Sequence, residues 1–405
     1  MTAIDFVAEA TRIQPELTAL RRELHQIPER GNDLPQTQAR VLAALDGLPL
    51  EITTGQSLSS IVAVLRGTGA TESTDRPTVL LRGDMDALPV TEETGLDFAS
   101  TNGLMHACGH DLHTAGLVGA ARLLCARRDR LPGDVVFMFQ PGEEMPGGAA
   151  PMIAEGVLDA SGRRADAAYG IHVMSDLPYG EFSLKPGPLM AGCEEMVITV
   201  HGRGGHGSQP WMTVDPVPVA AEIVLALQSY VARRSNVFDP VVITVGQLQS
   251  GTALNIIPDT ATLSASVRIL SSQSQERLAT DLPRLADGIA GAYGCTAETR
   301  LEVIYPTTIN DAAETAEVVD LLTTTYGADR VRLMTEPLMG SEDFSLVLEE
   351  VPGAFMFLGA RPGPMTGDVV TNHSARAAFD DGVLADQAAA LAQLAFHKIV
   401  TLAAS

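Results

Sequence analysis

The chain has 405 residues, of which 45% are hydrophobic and 19% charged, the balance of a well-packed globular protein with room for two domains. Its 27 Lys and Arg face 50 Asp and Glu, a formal charge of −23 that repels phosphate backbones and anionic lipid and so excludes nucleic acid and membrane surfaces as natural partners. The N-terminal 25 residues lack a basic start and apolar core, and no uncharged apolar stretch reaches the ~18 residues of a membrane span. Cys108, Cys125, Cys193 and Cys295 are too scattered for a disulfide framework, so a reducing cytoplasm is the expected setting.

In chain order, the continuous apolar runs Thr78 to Leu81, Val135 to Phe139 and Ala168 to Val173 predict strands buried on both faces of a mostly parallel sheet. Between them, Leu117, Ala120, Ala121 and Leu124 recur at helical spacing, and Asp111 is the expected N-cap. From about Glu194 the texture changes to strand (Met196 to Val200), helix (Val217 to Arg233), two strands (Val241 to Leu248 and Ala261 to Leu270), helix (Gln275 to Tyr293) and strand (Glu298 to Ile304). This βαββαβ order predicts a ferredoxin-like domain. The first texture resumes with another strand, Ala354 to Leu358. The expected fold is therefore an α/β catalytic domain over residues 1–190 and 306–405, interrupted by an inserted domain over 191–305.

In such sheets ligands gather beyond the carboxyl ends of the strands. Asp84 and Asp86, Glu143 and Glu144, and His172 all fall there, while Cys108 and His110 stand two residues apart and His373 lies near the end of the chain. Thiolate and imidazole favour Zn²⁺ or a neighbouring first-row ion, and carboxylates balance charge when two ions sit close together. Cys108 alone reads as a small buried apolar residue, and Glu143 with Glu144 as a solvated acidic turn. Their grouping with His110, His172 and His373 points instead to a binuclear centre, whose natural chemistry is hydrolysis of an amide or ester. Of the two consecutive acids, one can bind metal while the other moves a proton.

His106-Ala-Cys-Gly-His110-Asp, Gln140-Pro-Gly-Glu-Glu144, Gly170-Ile-His172, Gly340-Ser-Glu-Asp-Phe344 and Asn372-His-Ser374, in that order, resemble the M20 metallopeptidase family, in particular its amidohydrolase branch of hippurate hydrolases, N-acyl-amino-acid aminoacylases and auxin-conjugate hydrolases. The resemblance implies that Cys108, His110, Glu144, His172 and His373 bind two divalent ions (Zn, Mn, Co or Ni) and that Glu143 is the general acid and base. Related branches end the strand before the centre with His-x-Asp. Here Asp84-Met-Asp86 stands in its place, leaving Cys108 as the replacement ligand and Asp86 to orient a histidine.

The resemblance further implies that the inserted domain is a lid through which the chain forms a homodimer. Gly204-Gly-His206-Gly-Ser would carry a histidine that polarises the scissile carbonyl across subunits, and Asn255 and Arg268 would receive the substrate's carboxylate. Asn255 reads equally as a turn residue before Pro258, and Arg268 as the partner of an acid within the lid. Ser374-Ala-Arg-Ala-Ala-Phe379 and Leu112 depart from the family pattern without removing a ligand. The expected activity is cleavage of an N-acyl amino acid or close analogue. A dipeptidase or carbamoyl-amide hydrolase on the same scaffold is the alternative, and a non-catalytic metal or ligand binder the less favoured one.

Overall fold

Apolar runs with no polar alternation must be covered on both sides, and the computed structural model, which describes residues 4–70, 76–363 and 369–404, buries them so. The strands of the two main sheets, in chain order, are β1 (Leu50–Thr54), β2 (Ile61–Arg66), β3 (Thr78–Asp84), β4 (Asp134–Gln140), β5 (Ala167–Met174), β6 (Phe182–Leu184), β7 (Gly192–His201), β8 (Val242–Ser250), β9 (Thr260–Ile269), β10 (Thr296–Tyr305), β11 (Val331–Leu333) and β12 (Gly353–Gly359). The helices used below are α1 (Phe6–Gln26), α2 (Pro35–Leu45), α3 (His110–Cys125), α4 (Pro216–Arg234), α5 (Ser272–Ala292), α6 (Ala312–Tyr326) and α7 (Val383–Ala404).

The chain divides into two units, Met1–Leu189 with Ile309–Glu336 and Leu346–Ser405, and Met190–Thr308 with Pro337–Ser345. Pro337–Ser345 thus belongs with the second unit and not with its neighbours in sequence. Its anchors there are long-range, since the backbone N–H of Ala191 donates to the carbonyls of Leu338 and Gly340.

The first unit is built on one eight-stranded sheet of order β1-β2-β4-β3-β5-β12-β6-β11. Its centre, β4-β3-β5-β12, is parallel, while β1 and β2 join antiparallel at one edge. Helix α3 is buried along almost its whole length, packed against β3 on one side and α1 and α7 on the other. The expected N-cap at Asp111 is not observed. The helix begins at His110, and Gly109, at φ 86°, is the capping residue. A side chain at Gly109 would meet Val173 Cγ2 at 2.4 Å as well as suffer a left-handed backbone, so close packing on β5 demands glycine here. Asp111 lies inside the first turn, and its carboxylate is taken by Arg21 Nε at 2.7 Å and His25 Nδ1 at 2.7 Å. Tyr169 of β5 donates to Glu314 Oε2 at 2.6 Å, and Lys398 Nζ donates to Glu314 Oε1 at 2.6 Å, tying β5 to α6 and α7 through a buried charge pair.

The second unit is an antiparallel sheet of order β8-β9-β7-β10. Numbered within the unit, that is the 2-3-1-4 order of a ferredoxin-like fold, with α4 and α5 packed on the sheet. Alternation along β7 and β9 sends Met196, Ile198, Val200, Leu263 and Val267 into a core shared with Ile223, Leu227, Leu278 and Leu282.

Candidate metal centre

Each donor of the first unit stands where a buried element ends. β3 runs into Asp84 and the loop bearing Asp86, β4 into Glu143 and Glu144, and His172 sits near the end of β5. Cys108 and His110 flank the capping glycine of α3. Asp84, Asp86, Cys108, His110, Glu143 and His172 are buried, and His373 is exposed.

The side chains converge. Cys108 Sγ lies 3.3 Å from His172 Nε2 and 3.2 Å from His373 Nε2, and His373 Nε2 lies 3.0 Å from Glu144 Oε1. Donor atoms of Cys108, His110 and His172 fall within 4.8 Å of one another, as do those of Cys108, Glu144 and His373, and those of His110, Glu143 and Glu144. Cys108 is common to the first two groups. Five donors of the right kinds, in overlapping triads that share a sulfur, fit two divalent ions.

The electrostatics point the same way. His373 is pushed up to about 10 by its hydrogen bonds to Cys108 and Glu144. For His110, burial lowers the pKa but the carboxylates of Asp84 and Asp86 override it and raise it well above the ordinary value. Clustered anions thus make positive charge favourable here, and a divalent cation supplies it. His110 Nε2 is also buried without a hydrogen bond of good geometry among the described residues, the nearest carboxylate oxygen being Asp84 Oδ2 at 3.5 Å.

Hydrogen bonds behind the donors hold them in place. Asp86 accepts from the backbone N–H groups of Glu143 at 3.0 Å and Glu144 at 3.1 Å, and lies 3.3 Å from His110 Nδ1, so one carboxylate orients three members of the cluster. Val173 is held from both sides. Its N–H donates to His113 Nε2 at 2.8 Å, and its carbonyl accepts from His172 Nδ1 at 2.8 Å and Asn372 Nδ2 at 3.0 Å. The first bond requires a lone pair on His113 Nε2, so the proton of this neutral ring is on Nδ1 and goes to Asp84 Oδ1 at 2.6 Å. The second commits His172 Nδ1 as donor and leaves Nε2 for the cluster. Asn372 also reaches the carbonyl of Cys108 at 3.3 Å, joining three segments that bear donors.

His373 is the one non-glycine residue with positive φ among the described residues, at 68°. Its backbone N–H donates to the carbonyl of Ala107 at 2.9 Å, which pins the turn and offsets the cost of a left-handed histidine. Three further buried histidines, His25, His106 and His113, lie behind the five donors. His113 is the pivot just described, His25 bridges Asp111 and Glu92, and His106 is buried with neither nitrogen hydrogen-bonded among the described residues, its pKa driven down to about 3 by burial.

His206, Asn255 and Arg268 lie in the second unit. His206 is exposed and pairs with Ile256 in a two-residue ladder, its Nδ1 accepting from Ser208 Oγ at 2.9 Å. The N–H of Gly207 donates to the carbonyl of Asn255 at 2.8 Å, so His206 and Asn255 are neighbours. Arg268 is not brought to them. It stands near the opposite end of β9, eight residues from Thr260 and so roughly 26 Å along the strand, and Nη1 donates to Ser341 Oγ at 2.8 Å, not to an acid.

Residues 80–397 match the family model described as Peptidase family M20/M25/M40. Thermostable carboxypeptidase 1 of Saccharolobus solfataricus is 38% identical over 392 residues, covering 96% of each chain. N-acetylcysteine deacetylase of Bacillus subtilis is 36% identical over 348 residues, covering 85% of this chain and 88% of the relative. Among solved structures, the YXEP protein of Bacillus subtilis, described as a dinuclear metal binding peptidase from the M20 family, superposes with a TM-score of 0.82 at 31% identity, covering 96% of this chain and 99% of that one.

Proposed function

The chain belongs to Peptidase family M20/M25/M40 and is a metal-dependent hydrolase of amide bonds, and from that premise we propose that its centre removes the acyl group from an N-acyl amino acid. The convergence of Cys108, His110, Glu144, His172 and His373 on shared donor positions, with Glu143 beside them, carries this reading. Those five residues would hold two divalent ions, Zn, Mn, Co or Ni, which when bound polarise a carbonyl and make water acidic near neutral pH.

Glu143 takes the proton of the attacking water on its carboxylate and returns it to the leaving amine. Asp86 fixes the backbone of Glu143 and Glu144 by accepting from both N–H groups. His206 donates to the oxyanion, and Asn255 and Arg268 receive the amino-acid carboxylate. Because Arg268 stands far along β9 from His206, the two serve one site only if they come from different copies of the chain, which supports a homodimer paired through the second unit. Light scattering that finds a fully active monomer would refute that arrangement.

The four cysteines are free, which supports a reducing, cytoplasmic setting. Among the described residues no helix is long and apolar enough to cross a membrane. The decisive experiment measures metal content by mass spectrometry together with hydrolysis of N-acetyl and N-benzoyl amino acids after reconstitution with each ion. Two ions per chain and release of the free amino acid are expected. Metal uptake without turnover of any N-acyl amino acid or dipeptide would leave a binding protein instead.

A further inference from the structure

A cleft of about 500 Å³ opens beside the metal centre, entirely within the first unit. That is ample for a small organic group. Its floor includes Asp86 and Glu144, and its walls are the apolar surfaces of Ala87, Leu88, Pro89, Met145 and Pro146. The one basic residue lining it is Arg30.

Arg30 is set at this place by its neighbours. The carbonyl of Glu29 accepts from the N–H of Ala87 at 2.7 Å, that of Pro28 from Asn102 Nδ2 at 2.9 Å, and the Glu29 carboxylate is taken by Gln36 and by Thr37 N at 2.9 Å. The backbone is therefore fixed to the cleft wall and the nearest acid in sequence is occupied elsewhere. The guanidinium itself makes no hydrogen bond or ion pair with the described residues.

The reading above gives the amino-acid half of the substrate to Asn255 and Arg268 of the second unit, which leaves the acyl half for a cleft that borders Glu144. We propose that this cleft is the acyl subsite and that Arg30 makes it select acyl chains ending in a carboxylate, the half-amides of short dicarboxylic acids, over neutral chains of equal length. An apolar wall suits the methylene linker, and a planar fork suits the terminal carboxylate. The inference rests on the proposed amide hydrolysis, and its test separates the two.

On metal-loaded protein, kcat/KM is compared for N-succinyl and N-butanoyl derivatives of one amino acid, in wild type, Arg30→Gln and Arg30→Lys. A charge-assisted hydrogen bond predicts a wild-type preference of at least about tenfold for the succinyl substrate, erased by Arg30→Gln and partly kept by Arg30→Lys. A ratio near one in wild type, or a ratio that Arg30→Gln leaves in place, overturns the proposal. So does a change confined to the preference between acidic and neutral amino acids, which would put the amine half in the cleft. Calorimetric titration with succinate and butyrate needs no turnover: succinate is expected to bind at least about tenfold more tightly, with the difference gone in Arg30→Gln. If no N-acyl amino acid is hydrolysed the proposed reaction falls, and this titration alone upholds or rejects the anion subsite.

Discussion

His110, His113 and His172 of the first unit and His206 of the second are held in opposite ways. In the first unit His110, His113 and His172 are buried, each ring nitrogen facing a named carboxylate, backbone group or fellow donor. In the second unit His206 is exposed, and among the described residues its ring hydrogen-bonds only with Ser208 two residues away. A buried donor cluster carries its own function because burial without partners is costly and so forces a single arrangement. An exposed histidine on a glycine-flanked turn costs nothing to misplace, and its value depends on what comes to meet it.

Four experiments can break or sharpen this contrast. The largest effect is expected from chelation: a strong chelator should remove all measurable hydrolysis, and readdition of a divalent ion should restore it, as followed by product release. Activity that survives complete removal of metal would end the comparison. Next, Glu143→Gln should lower kcat by roughly 10² to 10⁴-fold, with two ions still bound by mass spectrometry. His206→Ala is expected to lower kcat by about 10² to 10³-fold, as for loss of an oxyanion donor, while chemical denaturation shifts by less than about 0.5 kcal/mol because the side chain is exposed. A large loss of stability would show that His206 is built in after all.

The smallest effect is expected at the pivot. His113→Phe keeps a ring in the core but leaves the N–H of Val173 without its acceptor and the carboxylate of Asp84 with Arg82 but without its histidine partner. Metal affinity should fall by roughly 10 to 100-fold, read as a weaker dissociation constant and an altered absorption spectrum of the cobalt form. Unchanged cobalt spectra with lower thermal stability would reduce His113 to a packing residue.

Much of this was legible along the chain. The runs around Leu80, Phe137, Ile171 and Phe357 are apolar without alternation, and only a sheet covered on both faces can use such runs, so the layers and the strand ends follow from local pattern. The ferredoxin-like order of the second unit followed from alternation and helical spacing in the same way. Cys108, His110, Glu143 and Glu144 could be picked out because donors two residues apart, or adjacent acids after a buried strand, are unusual locally. The N-cap at Asp111 was misjudged because a carboxylate before a helical run has two fates. Arg21 and His25, more than eighty residues earlier, claim it in the core.

By itself, then, the sequence determined the element types and the two-unit plan and offered the candidate donors, since each depends on residues within a few positions of one another and on what burial tolerates. Only the tertiary structure decided the left-handed turn at His373, the tautomer of His113 and the double hold on Val173. It likewise separated Arg268 from His206 and left Arg30 without a partner beside an apolar cleft. Those features depend on hydrogen bonds and spacings between segments tens to hundreds of residues apart, where pairing is set by how the sheet and helices pack and no local pattern records it.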